Sequence, residues 1–429
     1  MKRLVIGIAA VAVMTLSLAA CSGTTNTASG GKPTVTLWVD TPRVPVAKMY
    51  QKLMGNKQTI KIEVISQADA QTKIALHNRT KSGWPDVIFG SAPDTAQFLD
   101  PSNGFAADLT SLVSKKIFDG FGKANSDCLF DGKYYCLKND LANTVLWYNT
   151  KLFKQLNLTV PTTMDEFAAT AMKLKGTGYS AGAVGDQGYY SMFLQSSECP
   201  MADVTKPNVV RIAPSDPKCT RVTKLVQPLL DAGVLDKRSS FDPGFIADVA
   251  KKDKVAMTLG PSWFGDFVIK PSASWGVPTG EIAAANMPSW GTGKDDRSGA
   301  WGGGVFTVSS HSKFPQAAAD AAVWMTTSDA MATAETTPTF PAYGPANKLW
   351  EKRISADAYY SSNPYPAMAA GANKISQVDR PVRFPFGAQI GSALQVDINA
   401  GKSLETALND FAVSLQKLAP ASGYKVITN

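Results

Sequence analysis

The chain has 429 residues, of which 44% are hydrophobic and 18% charged, and it carries nine Trp, twelve Tyr and nineteen Phe. This composition excludes a disordered protein, and the length favours two domains or one large bilobal unit. The formal charge of +8 comes from dispersed basic residues and not from a basic stripe, so the sequence predicts no nucleic-acid partner.

The N-terminal segment has the parts of an export signal. Two positive residues precede an apolar run over 4–18, which ends in Leu-Ala-Ala before Cys21. This arrangement resembles a bacterial lipoprotein signal, in which small residues admit the signal peptidase and the cysteine takes the lipid. An ordinary secretory signal or a membrane anchor is the alternative. We predict a signal peptide over 1–20, lipidation at Cys21 and a flexible polar tether over 21–33.

The four remaining cysteines are even in number, as expected of disulfides in an exported chain. Cys128 and Cys136 flank a predicted hairpin whose three-residue loop, Asp-Gly-Lys, places position 130 opposite 134 and 128 opposite 136. We predict that these two cysteines form one disulfide and that Cys199 and Cys219 form the other. No C-x-x-C pair is present and both histidines are distant in sequence, so no metal site is predicted.

The predicted elements alternate between strands and helices. In chain order the pattern predicts strand 35–39, helix 46–53, strand 60–65, helix 68–78, strands 84–89 and 145–148, a helix from 151, a capping box over 163–166, strands 255–259 and 305–308, and helices 315–326 and 403–418. Such alternation predicts an α/β protein whose sheet is largely parallel and covered on both faces.

Several segments carry a family resemblance through their order and spacing. They are 35–39, Pro-Asp-Val-Ile at 85–88, Asp-Gly-Lys-Tyr-Tyr at 131–135, Leu-Trp-Tyr-Asn-Thr-Lys-Leu-Phe at 146–153 with Val-Pro-Thr-Thr-Met-Asp-Glu-Phe at 160–167, the run 255–263, and Gly-Gly-Gly-Val-Phe at 302–306. Together they resemble the sugar- and oligosaccharide-binding proteins of ABC importers, the family that includes the maltodextrin-binding proteins. The resemblance covers nearly the whole mature chain.

The resemblance implies a two-lobed periplasmic-binding-protein-like fold with a hinge and a ligand cleft between the lobes. Carried over, lobe one comprises 34–140 plus 308–366, and lobe two comprises 145–303 plus 375–429. Lobes of this kind close on their ligand by rotation about a few hinge residues.

Sugar recognition needs aromatic platforms for ring faces and planar polar groups for hydroxyls. Trp263 follows a predicted strand at the position where the resembled maltodextrin binders stack a Trp on a sugar ring; core packing is the alternative. The further candidates for ligand contact are Tyr189, Tyr190, Gln187, Asp94, Asp40, Arg43, Trp301, Asn139, Asp140 and Phe386, with Asp186, Tyr343 and Phe384 weaker. Ala142 and Gly90 depart from the maltodextrin pattern, so the sugar is left open.

The predicted function is capture of an extracellular sugar or oligosaccharide and its delivery to the permease subunits of an importer. We expect a monomer outside the cytoplasmic membrane, anchored through Cys21, with no cofactor and no catalysis. ATP is hydrolysed by a separate subunit, because the sequence Gly-Lys-Ser at 401–403 lacks the first glycine of a phosphate-binding loop. The alternatives are a binding protein for a non-sugar solute and a surface glycoside hydrolase with two carboxylates.

Overall fold

The computed structural model describes residues 32–90, 104–335, 339–376, 378 and 382–429. Cys21, the predicted signal peptide and Asp94 lie outside the described residues. From Pro33 to Asn429 the chain belongs to one compact unit. None of the helices in the described part of the chain is long and apolar enough to cross a membrane.

The strands of the described residues, in chain order, are β1 (Thr34–Val39), β2 (Thr59–Val64), β3 (Val87–Gly90), β4 (Leu129–Phe130), β5 (Lys133–Tyr134), β6 (Leu137–Lys138), β7 (Thr144–Asn149), β8 (Asp203–Lys206), β9 (Val209–Arg211), β10 (Met257–Pro261), β11 (Ile282–Asn286), β12 (Val305–Val308) and β13 (Lys425–Ile427). They form two main sheets and two small ones.

The α-helices in the described part of the chain are Val44–Met54, Gln67–Thr80, Lys115–Phe121, Thr150–Gln155, Met164–Met172, Pro217–Asp231, Pro243–Asp248, Pro315–Thr327, Asp329–Thr333, Gly344–Ser355, Tyr365–Ala372, Phe386–Gln389, Gln395–Asn399 and Leu404–Leu418. Three π-helical turns occur among the described residues, at Tyr189–Gln195, Gly265–Ile269 and Ile390–Leu394. The capping box predicted at Thr163 and Glu166 is confirmed, with both of its hydrogen bonds present.

The first sheet has the strand order β2-β1-β3-β12-β6. Strands β1, β2 and β3 are parallel, whereas β12 runs antiparallel to both of its neighbours. Along β1, Val35, Leu37 and Val39 enter one hydrophobic cluster and Trp38 enters another on the opposite face. Both faces of this sheet are therefore covered, as successive side chains of a strand point to opposite sides.

The second sheet has the order β10-β7-β11, and both pairs in it are antiparallel. The prediction of a largely parallel sheet is therefore wrong for this half of the molecule. The register explains the direction: Thr144, where β7 leaves the first half, pairs with Pro261, where β10 arrives back. A strand that ends at the point where its neighbour begins must be antiparallel to that neighbour.

The second sheet is also covered on both faces. Leu146 of β7 packs into a cluster with the helices Met164–Met172 and Leu404–Leu418, while Val145 and Trp147 pack into a cluster on the other face. Alternation along β7 thus divides the core of this half in two.

The helix Gly344–Ser355 contacts both halves of the molecule. Its Ala346 packs with the first sheet, and its Trp350 packs with the second. Trp350, Ile354, Tyr359, Tyr360 and Met368 therefore pack with residues of the second sheet, although the segment 308–366 was assigned above to lobe one. The exact lobe bounds stay a prediction.

Three extended segments, 139–144, 299–304 and 340–342, cross between the two halves and hydrogen-bond to each other. Asn139 donates its N–H to Gly304 O at 2.8 Å, Trp301 donates to Ala142 O at 3.1 Å, and Leu141 donates to Phe340 O at 3.1 Å. Gly302 and Gly303 adopt φ values of 99° and 79°, which a glycine reaches without strain. The triple glycine in the sequence therefore lies at the crossing.

Both predicted disulfides are confirmed, Cys128–Cys136 and Cys199–Cys219. The predicted hairpin register is wrong by one residue. Leu129 pairs with Tyr134 and Phe130 with Lys133, so the loop has two residues, Asp131 and Gly132, both with positive φ. Two central residues with positive φ characterise the tight hairpin turn that matches strand twist, and this preference overrides the three-residue loop.

Candidate ligand-binding site

Four predicted residues come together beside the crossing, at one end of the first sheet. Asp40 follows β1, Arg43 precedes the helix Val44–Met54, and Asn139 and Asp140 follow β6. We call Asp40, Arg43, Asn139 and Asp140 the polar cluster. It lies at the carboxyl ends of strands of an open sheet, where ligands of α/β proteins commonly bind.

Arg43 links the members of the polar cluster. Its guanidinium lies 3.2 Å from an Asp40 carboxylate oxygen and 3.4 Å from Asp140 Oδ1, and it sits 4.1 Å above the centre of the Phe89 ring. The same Asp140 oxygen accepts hydrogen bonds from Asn139 Nδ2 at 2.8 Å and Gly304 N at 3.1 Å. Asp140 thereby ties Arg43 to the crossing.

Exposure divides the polar cluster into two roles. The side chains of Asp40 and Arg43 are 23% and 15% exposed, whereas that of Asp140 is 1% exposed. Burial raises the pKa of Asp40, opposed mainly by the Arg43 guanidinium and its backbone N–H and reinforced by the Asp140 charge. Asp40 and Arg43 therefore keep part of their side chains open to solvent, and Asn139 and Asp140 hold Arg43 in position.

A group of aromatic rings lies on the other side of the crossing. Trp263 follows β10 and is half-buried; its Nε1 donates to Trp301 O at 2.8 Å, and the two indoles meet edge to face at 5.4 Å. Phe241 meets Trp301 edge to face at 6.0 Å. We call Phe241, Trp263 and Trp301 the aromatic cluster. A Cβ at Gly302 would lie 3.5 Å from Trp263 Nε1, so Trp263 contacts the crossing itself.

The loop 186–188 positions the aromatic cluster. Gln187 Oε1 accepts the Trp301 indole N–H at 3.1 Å. The buried Asp186 carboxylate accepts Ser240 N at 2.9 Å and Ser239 Oγ at 3.2 Å, which fixes the segment that carries Phe241. Burial raises the pKa of Asp186, while these hydrogen bonds and that of Gly188 N oppose the shift. Gln187 thus holds a ring in place through its side chain.

Three predicted platforms are corrected by their burial. Tyr189 is 0% exposed, Tyr190 4% and Phe386 3%, and all three pack in one hydrophobic cluster, with Tyr190 edge to face against Phe386. A ring enclosed on all sides cannot stack on a sugar. The weaker candidates Phe384 and Tyr343 are core residues as well. Trp301, at 9% exposed, supports its neighbouring rings and offers a ligand little surface.

Phe241 was not singled out from the sequence. It precedes Asp242, which caps the helix Pro243–Asp248 through a hydrogen bond from Phe245 N. The only signal was an aromatic residue in the polar run Ser-Ser-Phe-Asp-Pro, which marks a loop before a helix.

A cavity of about 830 Å³ also borders the crossing, lined by residues that include Phe121, Gln195, Ala300, Phe340 and Asn373. None of the polar-cluster or aromatic-cluster residues lines it. Its volume falls within the range of ligand pockets, but it holds none of the predicted platforms. Among the described residues, no group of three His, Cys, Asp or Glu side chains is placed to hold a metal ion.

The family model for bacterial extracellular solute-binding proteins matches residues 36–332. The chain belongs to this family. The diacetylchitobiose-binding protein DasA of Streptomyces coelicolor is 28% identical over 183 residues, which cover 39% of this chain and 41% of that protein. The match thus spans about two fifths of the relative's length.

Two solved structures are similar over most of the chain. The galacto-N-biose/lacto-N-biose I-binding protein of an ABC transporter from Bifidobacterium longum, in complex with lacto-N-biose, has a TM-score of 0.77 at 17% identity and covers 93% of this chain and 100% of its own. An ABC-transporter-associated binding protein from B. animalis subsp. lactis, in complex with β-1,6-galactobiose, has a TM-score of 0.74 at 20% identity, covering 92% and 100%. The predicted two-lobed α/β fold is confirmed by this likeness.

Proposed function

We propose that this protein is the substrate-binding component of an ABC importer and that it captures a di- or oligosaccharide outside the cytoplasmic membrane. One observation carries the proposal: a half-buried indole, Trp263, contacts the crossing on one side while the partly exposed Asp40 and Arg43 lie beside the crossing on the other. An aromatic face and charged hydrogen-bonding groups are the two surfaces that a sugar requires. The solved relatives named above, which hold disaccharides, support it.

The chemistry assigns a role to each cluster. Trp263 offers an apolar face to the C–H groups of a sugar ring, with its indole N–H already satisfied by Trp301 O. Asp40 accepts and Arg43 donates hydrogen bonds to hydroxyls, and a guanidinium can bond two neighbouring oxygens at once. The crossing segments act as the hinge that brings the clusters together around the ligand.

The proposal includes the partners and the place of the protein. The closed, loaded form docks on the permease subunits, and ATP is hydrolysed by a separate subunit. The protein catalyses no reaction, is a monomer, and is tethered through lipid on Cys21. A Cys21→Ser variant should not take up a lipid label, and a label that still marks it would contradict the anchor.

The function is tested with a panel of sugars and a reference pool of amino acids and short peptides. The panel contains N,N′-diacetylchitobiose, lacto-N-biose, β-1,6-galactobiose, mannotriose and maltotetraose. We expect one sugar class to raise the melting temperature, to bind by calorimetry, and to be recovered without cleavage. Stabilisation by the peptide pool alone would identify a non-sugar solute, and shortened products would identify a glycoside hydrolase.

A further inference from the structure

Phe241 is an apolar ring that the fold leaves open to water. It is 48% exposed, and it is the aromatic residue among the large exposed hydrophobic side chains of the described residues. Exposed aliphatic side chains are ordinary. A phenylalanine ring that is this exposed loses much of the hydrophobic free energy that its burial would contribute. Phe241 packs against the buried indole of Trp301, so its exposed face continues the aromatic cluster to the surface.

The backbone that carries Phe241 is held from several directions. The Asp186 carboxylate accepts Ser240 N at 2.9 Å, and Trp275 Nε1 donates to Ser240 O at 3.1 Å. Phe241 N donates to Ser239 Oγ at 3.1 Å. The ring is therefore exposed on a fixed loop, and a preorganised platform loses little conformational entropy when a ligand binds.

Phe241 and Trp263 are two separate surfaces. Phe241 is in ring contact with Trp301, at 6.0 Å and 80°, and Trp263 is in ring contact with the same indole at 5.4 Å and 63°. Trp301 is itself buried, so it joins the two accessible rings without competing with them for a ligand. Together they extend the aromatic surface beyond the single platform at Trp263.

We infer that Phe241 contacts a second sugar ring, beyond the ring that stacks on Trp263, and thereby sets a preference for longer oligosaccharides. This inference rests on the proposed function. A disaccharide contacts Trp263 and the polar cluster, and each further sugar unit of a longer ligand extends toward Phe241. A stacked ring is worth enough to change affinity about tenfold, which corresponds to about 1.4 kcal/mol.

The test is calorimetric titration of the wild type, Phe241→Ala and Phe241→Trp with malto-, chito- and manno-oligosaccharides of two to five units. Leu53→Ala is the control, because Leu53 is 54% exposed and lies in the last turn of the helix Val44–Met54, at the opposite end from Arg43. We expect Phe241→Ala to lose about tenfold in affinity for the longer members and less than twofold for the disaccharide. Phe241→Trp should keep the length dependence, and Leu53→Ala should change neither.

Equal losses at all lengths, or no loss at any length, would overturn the inference while leaving the proposed function intact. Because the ring is exposed, the melting temperature of unliganded Phe241→Ala should stay near that of the wild type, which shows that the fold is kept. If the wild type binds no member of the three series and none of the sugar panel above, the proposed function and this inference both fall.

Discussion

The two clusters beside the crossing are built in different ways. In the polar cluster, one buried carboxylate oxygen, Asp140 Oδ1, accepts Arg43 Nη2, Asn139 Nδ2 and Gly304 N. In the aromatic cluster, a buried indole, Trp301, contacts both Phe241 and Trp263. Each cluster thus has a buried centre and more exposed residues around it. Removing a buried centre or its charge partner should disturb the fold, and removing an exposed ring should disturb binding.

The largest effect on stability is expected where a buried charge loses its partner. Arg43→Met leaves the 1%-exposed Asp140 carboxylate without its cation, which should lower the free energy of unfolding by about 3 kcal/mol. Lys115→Met is the matched control: its ion pair with Asp119 joins side chains that are 86% and 60% exposed, so it should cost under about 1 kcal/mol. Equal losses in chemical unfolding would show that Asp140 does not depend on Arg43.

Trp263→Ala should weaken sugar binding by about 2 kcal/mol, because the stacked face is lost. Some stability is lost as well, since Trp263 is half-buried and bonds Trp301 O, so binding is titrated well below the melting temperature of the variant. Trp84→Ala is the control: Trp84 is also half-buried and donates to Asn78 Oδ1, but it stacks on His311 at the side of the first sheet. It should lower stability and leave affinity unchanged. A Trp263→Ala protein that binds as tightly as the wild type would remove Trp263 from the site.

Gln187→Leu tests the support of the aromatic cluster. It removes the acceptor of the Trp301 indole N–H and should lower the free energy of unfolding by about 1 kcal/mol. Affinity should fall by less than in Trp263→Ala, because the rings remain. A larger loss of affinity than in Trp263→Ala would show that Gln187 itself contacts the sugar.

The smallest effect is a pH dependence. Asp186 has a raised pKa through burial, so between the usual 3.8 and its raised value the folded chain binds more protons than the unfolded chain. Stability from this group therefore falls as pH rises through that window. In Asp186→Asn this group does not titrate. The free energy of unfolding of the wild type, measured relative to that of the variant, should therefore fall from pH 4 to pH 7. A rise in this difference over the same pH range would contradict the raised pKa of Asp186.

Strand ends were readable from the sequence, and this is why the polar cluster could be predicted. The run 35–39 placed Asp40 at a strand end, and Asp140 was placed by the resemblance at a crossing. The direction of β10 was not readable, because it depends on where the chain returns to the crossing. Local pattern determines strands, whereas tertiary connection determines how they pair.

The aromatic cluster was only partly predictable, for a different reason. Gly-Asp-Gln-Gly-Tyr-Tyr reads as a loop, but the two tyrosines begin a π-helical turn in which Tyr189 to Leu194 are all buried. Phe241 has no motif, and the backbone just before it is held by hydrogen bonds to Asp186, more than fifty residues earlier in the chain. Contacts of this range leave no local signal.

The most direct test of the central claim is a crystal structure of the protein with the sugar that the panel identifies. We predict a sugar ring stacked on Trp263, hydroxyls hydrogen-bonded to Asp40 and Arg43, and, for a longer ligand, a second ring on Phe241. A sugar that instead occupies the cavity lined by Phe121, Gln195 and Asn373, with Trp263 and Arg43 free of contact, would contradict the account.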